Sequence, residues 1–263
     1  MSASDFRPSL LVLASTYPRW RGDSEPGFVH ELCRRLTGSF KVIAVVPSSP
    51  SAAAHELLDG VEVFRFRYAP RRLETLVNDG GIVANLRRNP WKLMLLPSFV
   101  VGQAWLAARL FRRFRFAAVH AHWLIPQGLV AAWLCRKRRA PFLVTSHGAD
   151  LFALRGRGFE IAKRLVIRRA AALTVVSTAM RDELERLGAD SSKVSVAPMG
   201  VDLRDRFTLS NTAQRSAHQI LFVGRLVEKK GARYLVEAMP MVLRQHPQAR
   251  LSIAGFGPEQ MNL

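Results

Sequence analysis

The chain has 263 residues, enough to bury a sizeable core in one or two domains. Its 49% hydrophobic and 22% charged residues indicate a soluble globular protein, and its two isolated cysteines, Cys33 and Cys135, argue against a disulfide framework and favour the cytosol. The formal net charge of +19 favours anionic partners, without choosing among nucleic acid, anionic lipid and phosphorylated small molecules.

The first predicted element is the strand 10–15, "LLVLAS", and because no charged region precedes it we expect no secretory signal. A polar loop with Gly22 follows and ends at Gly27, where the predicted helix 27–36 begins. Free N–H groups at that helix N-terminus would suit a phosphate or a carboxylate, although an ordinary βα loop has the same pattern. The spacing is not G-x-G-x-x-G, so the dinucleotide-binding fingerprint is absent.

A long apolar run at 93–108, "LMLLPSFVVGQAWLAA", follows two further predicted strands, 41–46 and 61–66. The run is shorter than the roughly 20 residues that span a bilayer, so we interpret it as a helix that is buried or lies on a surface. Basic residues lie beside apolar ones at 65–72, 87–99, 109–116 and 136–139. This pattern suits docking to an anionic membrane, and a core helix flanked by solvated arginines would produce it as well.

The strand 117–122, "AAVHAH", carries His120 and His122 on one face, because side chains alternate along a strand. Such a pair can bind a metal, but no third ligand with suitable spacing accompanies it. A substrate contact or a packed core imidazole is therefore the favoured interpretation.

The strand 142–146, "FLVTS", is followed by "HGADLF". His147 stands at the end of the strand, where it would hydrogen-bond a polar substrate at the mouth of a cleft. Gly148 permits a tight turn, and Asp150 is placed to cap the following helix. The alternative is a capped helix beside a histidine that faces solvent.

The fold class follows from how these strands alternate with helical stretches at 128–139 and 179–188. Strands at 172–177 and 193–198 complete the set, and their apolar residues are continuous rather than alternating. Continuous apolar strands indicate burial on both faces, so the sequence predicts a doubly wound α/β domain with a parallel sheet. In such sheets ligands bind at the carboxyl ends of the strands.

The domain prediction is a first domain over 1–207, a polar linker over 208–219, and a βαβ unit over 220–263. The last unit has strands at 220–223 and 250–254 with a helix at 232–245. It is too small to be stable as a domain alone, so it either extends the first sheet or begins a second domain.

A basic turn after the strand 220–223 concentrates Arg225, Lys229 and Lys230 before Gly231. Arginine and lysine at a strand's carboxyl end suit a pyrophosphate, and a solvated basic turn is the weaker alternative. The order of residues is not that of a P-loop. The sequence has no Asp-x-Asp pair, so a diphosphate would be neutralised by these cations and by helix dipoles without a metal.

Six stretches in this order resemble glycosyltransferase family 4, retaining nucleotide-sugar enzymes with the GT-B fold, and they cover about residues 117 to 259. They are "VHAHWLIPQGLVAAWL", "VTSHGADLF", "LTVVSTAMRDELERLG", "KVSVAPMGVDLRDRF", "ILFVGRLVEKKGARYLVEAM" and "LSIAGFGPE". The resemblance implies an N-terminal domain that binds the acceptor and a C-terminal domain that binds the donor. The donor would be a UDP- or GDP-sugar, and the acceptor a lipid-linked molecule or a glycan.

The resemblance also implies roles for residues at matching positions. Arg225 and Lys230 would hold the donor pyrophosphate and stabilise the departing nucleoside diphosphate, and His147 would contact the donor sugar. On the nucleotide side lie Gly224, Gly255, Gly257 and Glu259, and on the acceptor side of the cleft lie Gly27, His122, His147 and Asp150. No metal and no cofactor beyond the nucleotide-sugar is implied.

One feature of the family is missing, the glutamate pair spaced Glu-x7-Glu that contacts the donor sugar and ribose. We therefore expect a chain truncated within the donor-binding domain, with little or no transferase activity alone. The alternative is a non-catalytic remnant that binds acceptor or a membrane surface. The expected location is the cytoplasm, with peripheral attachment to the inner face of the membrane. A nucleic-acid-binding protein is a remote alternative, because no helix-turn-helix, RNP or zinc-finger pattern occurs, and no nucleic acid partner is expected.

Overall fold

The computed structural model of the protein describes residues 7–23, 25–78, 80–204, 207–208 and 216–263. It divides into two compact units, Met1–Gly200 and Val201–Leu263. The boundary lies seven residues before the predicted one, and most of the predicted linker, 209–215, lies outside the described residues.

The first unit is a sheet of eight strands in the order β3-β4-β2-β1-β5-β6-β7-β8. The strands are β1 (Ser9–Leu13), β2 (Lys41–Pro47), β3 (His55–Leu58), β4 (Val61–Phe66), β5 (Phe116–His122), β6 (Phe142–Ser146), β7 (Ala172–Val175) and β8 (Val194–Val196). The helices are α1 (Phe28–Leu36), α2 (Gly81–Arg88), α3 (Leu95–Arg113), α4 (Leu129–Arg138), α5 (Arg157–Arg169) and α6 (Thr178–Arg186).

Both faces of this sheet are buried, which confirms the doubly wound fold. Along β1, Leu11 and Leu13 enter one hydrophobic cluster, with residues of α3 and α4, whereas Leu10 and Val12 enter another, with residues of α1. β1 pairs in parallel with β2 on one side and β5 on the other. The strand order reverses at β1, and such a reversal is where open α/β sheets form their ligand crevice.

β3 departs from the predicted parallel pattern, because it runs antiparallel to β4 at the edge of the sheet. Its sequence, His55–Leu58, alternates exposed and shielded residues and lacks the apolar run that marks a buried strand. α2 and α5 also lie outside the predicted set of helices.

α3 packs one side against the sheet and leaves the other open. Phe99 is fully buried, and a Cβ at Gly102 would lie 2.7 Å from the Arg67 carbonyl oxygen, so only glycine permits this close approach. The exposed apolar residues here are Val101 and Trp105 of α3 and Trp91, Leu93 and Met94 of the helical turn before it, and we call these five the α3 apolar face. By length and composition alone the helical stretch Pro90–Arg113 is long and apolar enough to cross a membrane, with a mean hydropathy of 1.4, and only 28% of the apolar window is buried.

The second unit contains β9 (Gln219–Val223), α7 (Ala232–Gln245) and β10 (Arg250–Ala254). β9 and β10 pair in parallel as a two-stranded sheet of their own, so the unit does not extend the first sheet. The pattern around Gly231 places the start of α7 correctly, because this glycine has a φ of 70° and stands at the helix N-cap. One face of β9 is exposed at Leu221 and Val223.

Candidate active site

The loop after β1 leads to the N-terminus of α1 at the carboxyl edge of the first sheet. Gly27 is the N-cap residue of α1, and its carbonyl oxygen accepts the N–H of Glu31 at 2.8 Å. The loop is braced by Arg19, whose guanidinium donates to the Asp23 carboxylate at 2.6 and 2.8 Å. Donation by Arg19 lowers the pKa of Asp23 to about 2, so the pair stays ionised and holds the loop at neutral pH.

Three histidines meet at the carboxyl ends of β5 and β6. The rings of His120 and His122 stack with centroids 4.3 Å apart, as their shared strand face predicts. His122 Nδ1 lies 3.0 Å from His147 Nε2, and His120 Nε2 lies 2.7 Å from the hydroxyl of Thr145. Burial lowers the pKa of His120 and of His147 to about 4 and that of His122 well below its usual value. All three imidazoles are therefore neutral at pH 7.

The direction of the bond between His122 and His147 follows from what surrounds His122. Its Nε2 is buried without a partner among the described residues. An unpaired lone pair is easier to bury than an unpaired N–H, so we assign the His122 proton to Nδ1, from which it is donated to His147 Nε2. His147 then carries its own proton on Nδ1. The histidine at the strand end thus presents a hydrogen-bond donor while remaining uncharged.

Aromatic rings enclose His147. The Phe28 ring lies 4.8 Å from the His147 ring and the Trp123 ring 5.0 Å, centroid to centroid. Trp123 has a φ of 75°, a strained backbone for a bulky residue, which is held by its N–H bond to the Thr145 carbonyl oxygen at 2.8 Å. These walls lower the dielectric around the imidazole and strengthen any hydrogen bond it makes.

Asp150 fixes the loops on either side of His147. Its carboxylate accepts from the Leu124 N–H at 2.6 Å and from the Ser146 hydroxyl at 2.9 Å, and it is 2% exposed. Burial raises the pKa of this carboxyl, and the two hydrogen bonds oppose the shift. The prediction that Asp150 caps the following helix is wrong, because it ties the β6 loop to the β5 loop instead.

The described residues contain no group of three or more His, Cys, Asp or Glu side chains placed to hold a metal ion. His120 bonds to a threonine, and His122 bonds to His147. His120 therefore fits the interpretation as a packed core imidazole. His122 is also buried, and it supports His147 at the edge of the sheet.

An open cavity of about 350 Å³ lies beside the carboxyl ends of β2 and β4, where no site is predicted from the sequence. It is lined by Ser48, Ser49, Ser51, Ala52, Ala53, Ala54, Arg65, Arg67 and Arg71. The sequence carries a signal for it in the basic segment 65–72, which was interpreted as a membrane contact. The buried Gln127 amide was also missed, and it has no partner among the described residues.

The second unit brings together most of its predicted residues around the ends of β9 and β10. The Gly224 N–H donates to the Ala254 carbonyl oxygen at 3.0 Å, and a Cβ at Gly255 would lie 1.9 Å from the Gly224 carbonyl oxygen. The loops after the two strands therefore touch, which requires glycine at position 255.

Arg225 follows Gly224 directly in this group of loops. The Glu259 N–H donates to the Leu226 carbonyl oxygen at 3.2 Å, and a Cβ at Gly257 would lie 2.2 Å from the same oxygen. Lys230 ends a short helical turn before α7 and is exposed. The predicted residues thus form two sets, one in each unit.

Comparison with known proteins identifies both units. The profile of Glycosyltransferase Family 4 matches residues 28–205, and the profile of Glycosyl transferases group 1 matches residues 207–263. The chain is 25% identical over 255 residues to the glycogen synthase of Mycobacterium tuberculosis, covering 88% of this chain and 58% of that protein.

Two further likenesses bear on the site. The putative teichuronic acid biosynthesis glycosyltransferase TuaC of Bacillus subtilis is 30% identical over 158 residues, 55% of this chain and 39% of that protein. The crystal structure of Anabaena Alr3699/HepE in complex with UDP and glucose superposes with a TM-score of 0.59 at 15% identity, covering 97% of this chain and 63% of that one. The chain thus spans 58% or less of the length of these two curated relatives.

Proposed function

The chain belongs to glycosyltransferase family 4, and from this premise we propose that it transfers a sugar from a nucleotide-sugar to a lipid-linked or glycan acceptor, with retention of anomeric configuration. The observation that carries the proposal is the neutral His147 at the carboxyl edge of the sheet. Its Nδ1–H would donate to a hydroxyl of the donor sugar, and a neutral donor avoids burying a charge beside that hydroxyl.

The proposed donor is a UDP- or GDP-sugar. Support comes from HepE, which was solved with UDP and glucose, and from the group of loops at the ends of β9 and β10. Arg225 and Lys230 would neutralise the diphosphate without a metal, and Gly224, Gly255, Gly257 and Glu259 would line the nucleoside side. The bond from the anomeric carbon to the diphosphate oxygen would be replaced by a bond to the acceptor oxygen on the same face, and the proton of the acceptor hydroxyl would pass to the departing diphosphate. The two cations would stabilise the charge that develops on the departing diphosphate.

The acceptor side would be formed by the first unit, with Gly27 at the start of α1 and with His122 and Asp150 buried near His147. His122 would act as a positioning residue through its bond to His147, and Asp150 through its hold on both loops. TuaC carries teichuronic acid biosynthesis in its name, which supports a cell-surface polysaccharide as the product. No cofactor beyond the nucleotide-sugar is proposed.

We also propose that these 263 residues turn over slowly when alone. No two glutamates in the sequence are spaced Glu-x7-Glu, the pair that would contact donor sugar and ribose in this family. The chain would then bind the donor but release its nucleoside diphosphate only slowly.

An assay of nucleoside diphosphate release, reading UDP from UDP-sugars and GDP from GDP-sugars in the presence of a membrane lipid extract, tests the function. We expect slow release that His147→Ala reduces by about 100-fold, as loss of a transition-state donor does. His55→Ala is the matched control, because this histidine is more than half exposed on the edge strand β3. If nothing is released, ligand-observed NMR of the same mixtures decides: donor binding without turnover supports the slow-turnover proposal, and absence of both overturns the function.

The proposed location is the cytoplasmic face of the membrane, with the α3 apolar face as the contact. Trp105 is 59% exposed, and the Arg109 guanidinium lies 5.6 Å from its ring centroid. Exposed Arg112 and Arg113 continue the helix. Tryptophan beside arginine on one helix face suits an interface between acyl chains and anionic headgroups.

Vesicle binding tests this contact. We expect Trp105→Ser to weaken binding to vesicles of phosphatidylglycerol by about tenfold, because an inserted tryptophan side chain is lost. Leu57→Ser removes an apolar side chain that is even more exposed, at 73%, from β3 and should leave binding unchanged. Equal binding by both variants would mean that net charge alone attracts the protein, and it would overturn the proposed face.

A further inference from the structure

We propose that the cavity beside β2 and β4 binds a phosphate group carried by the acceptor, an inference that rests on the proposed function. The cavity has about 350 Å³, enough for a phosphate ester and part of the group attached to it. Its lining contains three arginines, three serines and three alanines, with no carboxylate and no aromatic ring. A nucleobase would find no ring on which to stack, so the site does not suit the donor nucleotide.

Arg65 supplies a cation that is fixed in position. Its side chain is 2% exposed and donates to Glu56 Oε1 at 2.6 Å and to the Pro18 carbonyl oxygen at 2.8 Å. A third bond, to the Ala53 carbonyl oxygen at 3.1 Å, joins it to the loop that lines the cavity. Because these bonds occupy its donors, Arg65 holds the lining loop in place and supplies positive electrostatic potential, rather than contacting the phosphate directly.

Arg67 and Ser48 are positioned by one buried carboxylate. Glu74 is 1% exposed, and it accepts from Arg67 Nε at 3.2 Å and from the Ser48 hydroxyl at 2.8 Å. Arg67 Nη2 donates to the Ala69 carbonyl oxygen at 3.0 Å, so Nη1 is the nitrogen of this lining guanidinium for which no bond is assigned here. A group pre-oriented in this way loses less entropy when an anion binds.

Ser49 and Arg71 provide the donors that the structure leaves available. The Ser49 oxygen accepts from the Asn78 amide at 3.0 Å, so its own O–H can donate into the cavity. Arg71 is exposed and has no ion-pair partner among the residues that the structure describes. A hydroxyl donor beside the guanidinium of Arg71 suits a phosphate, because an arginine fork matches phosphate oxygens bidentately.

The cavity lies at the carboxyl edge of the sheet, where His147 also stands. A pocket of only about 10 Å³, room for about one water molecule, shares Ser49 and Arg65 with it and is lined by Tyr17 in the loop after β1. β1 is the neighbour of β5, which carries His122. An acceptor with its phosphate at Arg71 would therefore extend along the same edge that His147 occupies.

Calorimetric titration of the chain with glycerol 3-phosphate, at constant ionic strength and without donor, tests the site. We expect Arg71→Gln to weaken binding about tenfold, the loss of one charge-assisted contact. Arg168→Gln on α5 removes the same charge from another exposed position and should stay within about twofold of the parent.

A second arm repeats the titration with phosphatidylglycerol vesicles. Weaker binding of Arg71→Gln than of Arg168→Gln to vesicles alone would support the site with a lipid headgroup as its source. Equal losses for both variants in both arms would overturn it, because binding would then follow net charge. Neither titration contains a nucleotide-sugar. A loss of phosphate binding can therefore be told apart from a loss of transferase activity.

Discussion

Acidification should destabilise the first unit through its buried imidazoles. The pKa of His120 and of His147 falls from 6.5 to about 4 on folding because both rings are buried. The unfolded chain therefore binds more protons than the folded chain between these values, and the free energy of unfolding falls as pH falls from 6.5 toward 4.

The size of the effect follows from the shifts. From pH 7 to pH 5, each such imidazole removes about 2 kcal/mol, so the pair removes at most about 4 kcal/mol. His122 acts in the same direction, since its pKa is also lowered. Asp150 opposes them, because burial raises its pKa and folding then favours its protonated form at low pH.

Tryptophan fluorescence in urea at several pH values measures this dependence. All five tryptophans lie before residue 200, so the signal reports the first unit. We expect His147→Asn to reduce the loss between pH 7 and pH 5 by about 2 kcal/mol, because one titrating group is removed. If His147→Asn kept the full slope, the imidazole would bind its proton as readily in the folded chain as in the unfolded chain, and the argument from burial would be refuted.

Three further predictions concern single contacts. Gly255→Ala should destabilise the second unit by about 1–3 kcal/mol, since a Cβ would lie 1.9 Å from the Gly224 carbonyl oxygen. The control is Gly158→Ala, where the added Cβ meets open space. Hydrogen exchange of the β9 amides compares the two variants, and equal protection would contradict the close packing at Gly255. Asp150→Ala should cost about 1–3 kcal/mol in urea unfolding, because the Leu124 N–H and the Ser146 hydroxyl lose their acceptor, and a loss no larger than that of exposed Asp182→Ala would count against this role. Imidazole nitrogen shifts should show His147 protonated at Nδ1, and His122→Phe should restore a tautomer mixture; protonation at Nε2 in the parent would reverse our assignment.

The sequence predicts those parts of the fold that local patterns determine. α7 was placed at 232–245 and observed at Ala232–Gln245, because an amphipathic period and a glycine cap lie within one short stretch. The stacked pair His120 and His122 follows from strand alternation alone. The edge strand β3 has no such local signal, since it is paired only through β4.

Site residues that directly follow a strand can be predicted from the sequence. Site residues whose role depends on partners far along the chain cannot. His147 stands directly after β6, so its placement needs only the strand. The role of Asp150 depends on Leu124, 26 positions earlier, and that of Ser48 depends on Glu74, 26 positions later. No periodicity connects such partners, and the pattern suggested a helix cap and a membrane contact instead.

The strand order also bears on how the first unit is made on the ribosome. β1 is synthesised first and ends in the middle of the sheet, and later strands add outward from it, except that β3 can take its place at the edge only once β4 has been made. One edge of β1 waits for β5, whose last residue His122 follows Leu13 by roughly 110 positions, about 5 to 20 s at ordinary rates of elongation. During that interval β1 can pair only with β2, and α1 can cover only one of its two faces. The nascent chain needs both contacts to keep the apolar side chains of β1 out of water.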